Sequence, residues 1–154
     1  MEKTIKKIAT FAASQPHGVY FLNTKQELKE FYLDGLRKYK TWNAIASIED
    51  WLPVDAKFLQ DFRKELDKNK VKTKVIFKES GLRFEPKGLK YRQVKVIPPS
   101  YDFQSSIDIL EDKILIMNPD LNVLGLVVEI ESILDIFKDI FDLLWDTLPE
   151  SKKK

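Results

Sequence analysis

The sequence predicts a single α/β domain built on a mixed sheet and flanked by helices, and three observations carry that prediction. In the first half, short apolar runs alternate with amphipathic stretches of helical length, the spacing of a parallel β-α-β-α-β unit. In the second half, only Glu111-Asp112-Lys113 separates two apolar runs, which is what an antiparallel hairpin requires. The chain then closes on one long amphipathic stretch ending in Leu143-Leu144-Trp145. At 154 residues it has the length of one domain with room for a sizeable core.

Each element has a local reason. Residues 1–14 place Ile5, Ile8, Phe11 and Ala12 at helical spacing with basic residues between them, until Gln15-Pro16-His17-Gly18 breaks the pattern. A helix so short does not persist alone, so residues 1–15 are expected either to pack on their own domain or to be the remnant of a linker or dimerising helix. Val19–Leu22 is a short apolar strand. Thr24 with Glu27 forms a capping box, and the helix it opens carries Leu28, Phe31, Tyr32, Leu36 and Tyr39 on one stripe. Residues 42–48 form a strand of the continuously apolar kind that is buried on both faces. Pro53 suits the first turn of the next helix, whose buried face is Phe58, Leu59, Phe62 and Leu66. A strand at 71–77, a Gly- and Pro-containing loop at 78–88 and an alternating strand at 91–97 lead to Pro98-Pro99. The hairpin, a strand at 123–128 and the terminal helix complete a domain spanning 18–149, followed by a disordered basic tail at 150–154.

Composition excludes several function classes. With 44% hydrophobic and 32% charged residues the chain reads as soluble and globular. A net charge of +2 gives no electrostatic case for nucleic acid. The absence of cysteine removes disulfides, thiolate metal sites and cysteine nucleophiles, and one histidine leaves no multi-histidine metal site. No cofactor or metal is therefore expected. No apolar run reaches the ~18 residues of a membrane span and the N-terminus has no signal-peptide pattern, so a cytoplasmic protein with no membrane partner is expected.

Four groups of residues are candidates for function. Glu49, Asp50 and Trp51 follow a strand and precede a helix, at the carboxyl end where open α/β sheets bind ligands. Two carboxylates beside an indole suit a small polar ligand such as a sugar; they equally suit a capped turn with Trp51 filling the core beneath it. Ser106 and Asp108 share one face of a hairpin strand, and Ser47 and Ser80 are both candidates for the same sheet edge. They either hydrogen-bond such a ligand or face water. Lys87, Lys90, Arg92 and Lys95 surround Tyr91, a mixture that fits single-stranded nucleic acid or the protection of an edge strand. Finally, Ile136, Leu143 and Trp145 widen the apolar face of the terminal helix. Together with Ile5, Ile8 and Phe11 they are the expected interface of a homodimer.

The run Ile48-Glu49-Asp50-Trp51-Leu52-Pro53, the pair Ser105-Ser106, the turn Asp112-Lys113, Leu124-Gly125-Leu126 and the stretch 137–145 have a further bearing. In this order they resemble the C-terminal effector region of TrmB-type transcription regulators, over roughly residues 19–148. That resemblance implies a phospholipase-D-like fold, in which the hairpin carries a His-x-Lys-x4-Asp catalytic motif. This hairpin carries Ser105, Ser106, Ile107 and Asp108 instead, and the only histidine, His17, lies in the turn before the first strand. The resemblance thus implies a non-catalytic, ligand-sensing or dimerising module. Too few residues precede Val19 for the family's winged helix-turn-helix, so DNA would be reached only through one not present in this chain. Two other classes remain open: a stand-alone protein-interaction module without a small-molecule pocket, and an enzyme using Glu49, Asp50 or Asp108 as general base.

Overall fold

The computed structural model describes residues 18–47, 52–117 and 124–150. Seven strands form one mixed sheet: β1 (Val19–Leu22), β2 (Thr41–Ala46), β3 (Lys72–Phe77), β4 (Arg92–Val96), β5 (Ser106–Ile109), β6 (Ile114–Met117) and β7 (Gly125–Val128). Their spatial order is β1-β7-β6-β5-β2-β3-β4. Three helices cover it: α1 (Lys25–Lys38), α2 (Leu52–Lys68) and α3 (Glu131–Thr147). The apolar side chains of α1 and α2 pack with Leu22, Trp42, Leu115, Met117 and Val127 on one face. Those of α3 pack with Ile76, Ile109 and Ile114 on the other. The sheet is thus the middle of three layers, and burying each of these Leu- or Ile-sized side chains contributes roughly 1.5–3 kcal/mol.

The parallel part of the sheet is β2-β3-β4, and β2, β5, β6 and β7 are joined antiparallel in turn. The first strand therefore joins the sheet elsewhere than beside β2: it pairs antiparallel with β7, Val19 opposite Val128 and Leu22 opposite Gly125. Both sides of β2 are taken, by β3 and β5. The four-residue β1, with Val19, Tyr20 and Phe21 exposed, has the character of an edge strand.

Local chemistry fixes the helices as the sequence suggests, with two adjustments. Thr24 Oγ1 accepts from Glu27 N at 3.1 Å, and the Glu27 carboxylate returns to Asn23 N at 2.7 Å, one residue before the cap. In α2 the backbone is non-helical at Asp55, whose carboxylate accepts from Phe58 N at 3.0 Å and so caps the helix that continues from there. Gly35 sits inside α1 because a Cβ there would lie 2.6 Å from the Trp42 ring, so the helix can rest on the indole only without one. Among the described residues no helix is long and apolar enough to cross a membrane, and no group of three His, Cys, Asp or Glu side chains is placed to hold a metal ion.

Candidate functional site

β2, β3 and β4 run in one direction, and β5 enters the sheet at their carboxyl end. Ser47 leaves β2 there and Ser106 opens β5. The two are clamped together: Ser47 N donates to Ser106 Oγ at 2.9 Å, and that hydroxyl donates to Ser47 O at 3.2 Å. Both are buried. Ser47 Oγ has no hydrogen-bond partner among the described residues.

Asp108 lies two residues along β5 on the same face, opposite Ala44 of β2, and this face is covered by α1 and α2. The alternation predicted for Ser106 and Asp108 holds, but they do not face water. The Asp108 carboxylate accepts from Trp42 Nε1 at 3.2 Å and from the Tyr32 hydroxyl. Tyr32 and Trp42 are stacked at 5.4 Å, with Phe62 edge-on to both. Burial raises the Asp108 carboxyl above its usual range, against the pull of those two hydrogen bonds and the charges of Arg63 and Arg92. Burial, the Asp108 charge and its hydrogen bond likewise push the Tyr32 phenol well up, so it stays a donor.

Two guanidinium groups complete this layer. Arg63 of α2, 5% exposed, donates to Phe84 O at 3.2 Å and lies 3.7 Å from the Glu85 carboxylate. Arg92 of β4 grips the same carboxylate with Nε and with Nη2, the latter at 3.1 Å. Each arginine also lies against the Phe77 ring, at 5.2 and 5.7 Å from its centre. Burial lowers Arg63 to about 10, with Arg92 adding to the effect, which leaves it charged at neutral pH. Between them is a cavity of about 50 Å³ bordered by Tyr32, Trp42, Arg63, Arg92, Ser106 and Asp108, among others. It has room for a few water molecules and not for a sugar.

A larger cleft of about 140 Å³ opens on the surface at the carboxyl ends of β3 and β4, lined by Lys78, Glu79, Ser80, Ile97, Pro99, Tyr101 and Asp102. Lys78 and Asp102 form an ion pair across it at 2.7 Å, and Tyr101 is 61% exposed. Ser80 was the one member of this cleft that sequence placed near the sheet edge. The others come from a 3₁₀ turn at Glu79–Phe84 and from the Pro98-Pro99 connection, neither of which has a periodic signature.

The structure thus brings Ser47, Ser106 and Asp108 together, in the core. Glu49, Asp50 and Trp51, with Ile5, Ile8, Phe11 and His17, lie outside the described residues. Of the expected interface, Ile136 and Leu143 are exposed at 56% and 68%. Trp145 is a correction: it is 8% exposed, buried within its own domain. It stacks on Phe141, and the ammonium groups of Lys74 and Lys95 lie 5.4 and 4.7 Å from its ring. Sequence spacing put it at the margin of the apolar stripe, and the reach of two lysines from β3 and β4 turns that margin into interior. Of the basic group near Tyr91, Arg92 is spent on Glu85, while Lys95 donates to Trp145 O at 2.6 Å and Leu148 O at 2.9 Å. Lys87 and Lys90 remain exposed.

The fold is similar to known structures. TrmBL2, an archaeal chromatin protein with a novel mode of DNA binding, superposes with a TM-score of 0.63 at 13% identity, over 97% of this chain and 60% of that one. NucT from Helicobacter pylori matches at 0.59 and 10% identity, over 88% of this chain and 98% of the other. Nuc from Salmonella typhimurium, a phospholipase D family member, matches at 0.52 and 11%, with the same coverages. The fold is phospholipase-D-like. The resemblance to the effector region of TrmB-type regulators is met at the level of fold, and the chain spans about three fifths of the length of TrmBL2. No family model and no curated protein matches the sequence.

Proposed function

We propose that this phospholipase-D-like domain is a non-catalytic regulatory module, the ligand-sensing part of a TrmB-like transcription regulator. One observation carries the reading. On β5, the strand that the resemblance makes catalytic, the two side chains on one face are Ser106 and Asp108, and both are consumed by hydrogen bonds inside the core. Neither is a nucleophile with access to a phosphodiester, and the hairpin has no histidine or lysine in their place. The likeness to TrmBL2 supports a regulatory setting, and the open polar cleft lined by Lys78 and Asp102 supports the reading of a small hydroxylated ligand.

A second reading, a carboxylate enzyme, has one observation in its favour: burial holds Asp108 above the usual carboxylate range, as a general base near neutrality requires. Against it, both donors on Asp108 come from the core and the adjoining cavity is only about 50 Å³.

Incubation with bis(p-nitrophenyl) phosphate and with single-stranded DNA separates the readings. The module releases no product above a protein-free control, and His17→Ala changes nothing. Turnover that disappears in Asp108→Asn would establish the carboxylate enzyme, and turnover that disappears in His17→Ala would establish a phosphodiesterase.

A further inference from the structure

The net charge of +2 conceals an uneven distribution. Residues 64–95 carry eleven Lys or Arg against four Asp or Glu, whereas residues 129–150 carry seven Asp or Glu against Lys138 alone. The fold gathers part of the first excess in one place. Two short connections set the carboxyl ends of α1 and α2 beside the amino ends of β2 and β3, and β4 runs parallel to both strands. Lys40 precedes β2, Lys70 and Lys72 bring the chain into β3, and Lys87 and Lys90 precede β4.

Backbone pairing sets the spacing of this rim. Lys72 N donates to Lys40 O at 2.9 Å, and Thr73 N donates to Tyr91 O at 2.9 Å. With Thr41 opposite Lys72 and Thr73 opposite Arg92, Lys40 and Lys90 each stand one residue short of the level of Lys72. Adjacent strands lie about 4.8 Å apart, so these three lysines cross about 10 Å of the sheet. Lys40, Lys70, Lys72, Lys87 and Lys90 are all exposed, and none has an ion-pair partner among the described residues. By contrast, Lys38 is spent on Asp112 at 2.7 Å, and Lys68 reaches Glu65 at 4.0 Å. Lysine in the last turn of a helix offsets the helix dipole, but these five lie outside α1 and α2.

We propose that this rim docks the phosphate backbone of nucleic acid without regard to base sequence. Glu111 accepts from Lys40 N at 2.7 Å and Asp67 accepts from Tyr91 N at 2.6 Å, so carboxylates border the lysines and keep the basic strip narrow. A narrow strip of cations suits a linear polyanion, whereas a lipid surface calls for a broad basic plane. Lysine contacts to phosphate position the partner and carry no base information. The rim lies at the end of β3 and β4 opposite the Lys78 and Asp102 cleft, so it stands apart from the ligand-sensing reading.

Fluorescence anisotropy of the full chain with two short labelled DNA duplexes of unrelated sequence tests this. Equal affinities are expected, with a fall of roughly 10²-fold or more between about 50 and 200 mM salt as the lysines release counterions. Lys72→Gln with Lys90→Gln is expected to weaken binding about tenfold at the lower salt and to flatten the salt dependence by about two phosphate contacts. Lys25→Gln with Lys57→Gln removes the same charge from exposed positions in the amino-terminal halves of α1 and α2, and is expected to change affinity less than about twofold. Equal losses in the two variants would mean that the charge acts diffusely, and no binding at the lower salt would mean that the rim does not meet nucleic acid. Either overturns the proposal. Tighter binding to vesicles of equal parts phosphatidylcholine and phosphatidylserine than to the duplexes would assign the rim to a membrane instead.

Discussion

The two faces of the sheet differ in what their apolar cores enclose, and β5 shows the division within four residues. Ser106 and Asp108 point into a layer that holds Arg63, Arg92, Glu85 and a Tyr-Trp stack; Ile109, from the same strand, points into a layer of isoleucine, leucine, phenylalanine and tryptophan under α3. On the first face each buried charge has a partner, so position is set by hydrogen-bond geometry. On the second, position is set by packing, with half-buried Lys74 and Lys95 against Trp145, and Lys95 closes the carboxyl end of α3. Both sides of the sheet cohere through apolar packing, and the α1–α2 side adds a paired polar layer whose geometry fixes position. Fully satisfied buried polar layers specify an arrangement more than they stabilise it.

That contrast can be broken by comparing single changes. Phe141→Ala, at a fully buried ring under α3, is expected to cost about 3–5 kcal/mol in urea unfolding. Tyr32→Phe on the polar face keeps the ring and removes one donor to Asp108, and is expected to cost about 1–3 kcal/mol. A larger loss for Tyr32→Phe than for Phe141→Ala would show that the polar layer contributes more to stability than apolar packing.

Acid–base behaviour sharpens the same distinction. Because burial raises Asp108 above its ordinary value of 3.8, the folded chain binds that proton more tightly than the unfolded chain. Its contribution to stability is complete below 3.8 and is lost as pH rises through the folded value. Asp112, lowered despite its partial burial by hydrogen bonds from Lys38 and Tyr39, acts in the opposite sense and is lost as pH falls through its folded value. Asp108→Asn is therefore expected to flatten the decline on the alkaline side of 3.8 and leave the acid limb as it is. Urea midpoints measured from pH 3 to 8 on both proteins show this, and parallel curves would mean that Asp108 titrates normally. The smallest expected effect is that of Thr24→Ala, about 1 kcal/mol, read as a lower thermal midpoint through loss of the α1 cap.

Much of the architecture was legible because it is written in local pattern. The Thr24 cap, the Leu28 and Tyr32 stripe, the Glu111-Asp112-Lys113 turn and the period-two pairing of Ser106 with Asp108 need only neighbours in sequence. The place of β1 needs Val128, far along the chain, and nothing in Val19–Leu22 names that partner. Period two also fixes which residues share a face without saying which face meets a helix, so Asp108 was read as facing a ligand or water, and its place in the core was missed. The Arg63-Glu85-Arg92 layer escaped for the same reason: its members sit on a helix, a loop and a strand, and meet only once β3 and β4 are paired. Trp145 was misplaced because helical spacing carries no information about lysine stems arriving from another element.

The pairing of β1 with β7 also has a temporal side. As the chain leaves the ribosome, β2, α2, β3 and β4 can assemble in the order of synthesis, since each parallel pair closes a short loop. β1 is made first, yet it must wait for Gly125–Val128, which come near the end. Until then its apolar residues have no strand to rest on, and loops this long close slowly. The oldest strand of the domain is the last to find its place, and a nascent chain halted before β7 holds its N-terminal edge unpaired, the state most open to association with other chains.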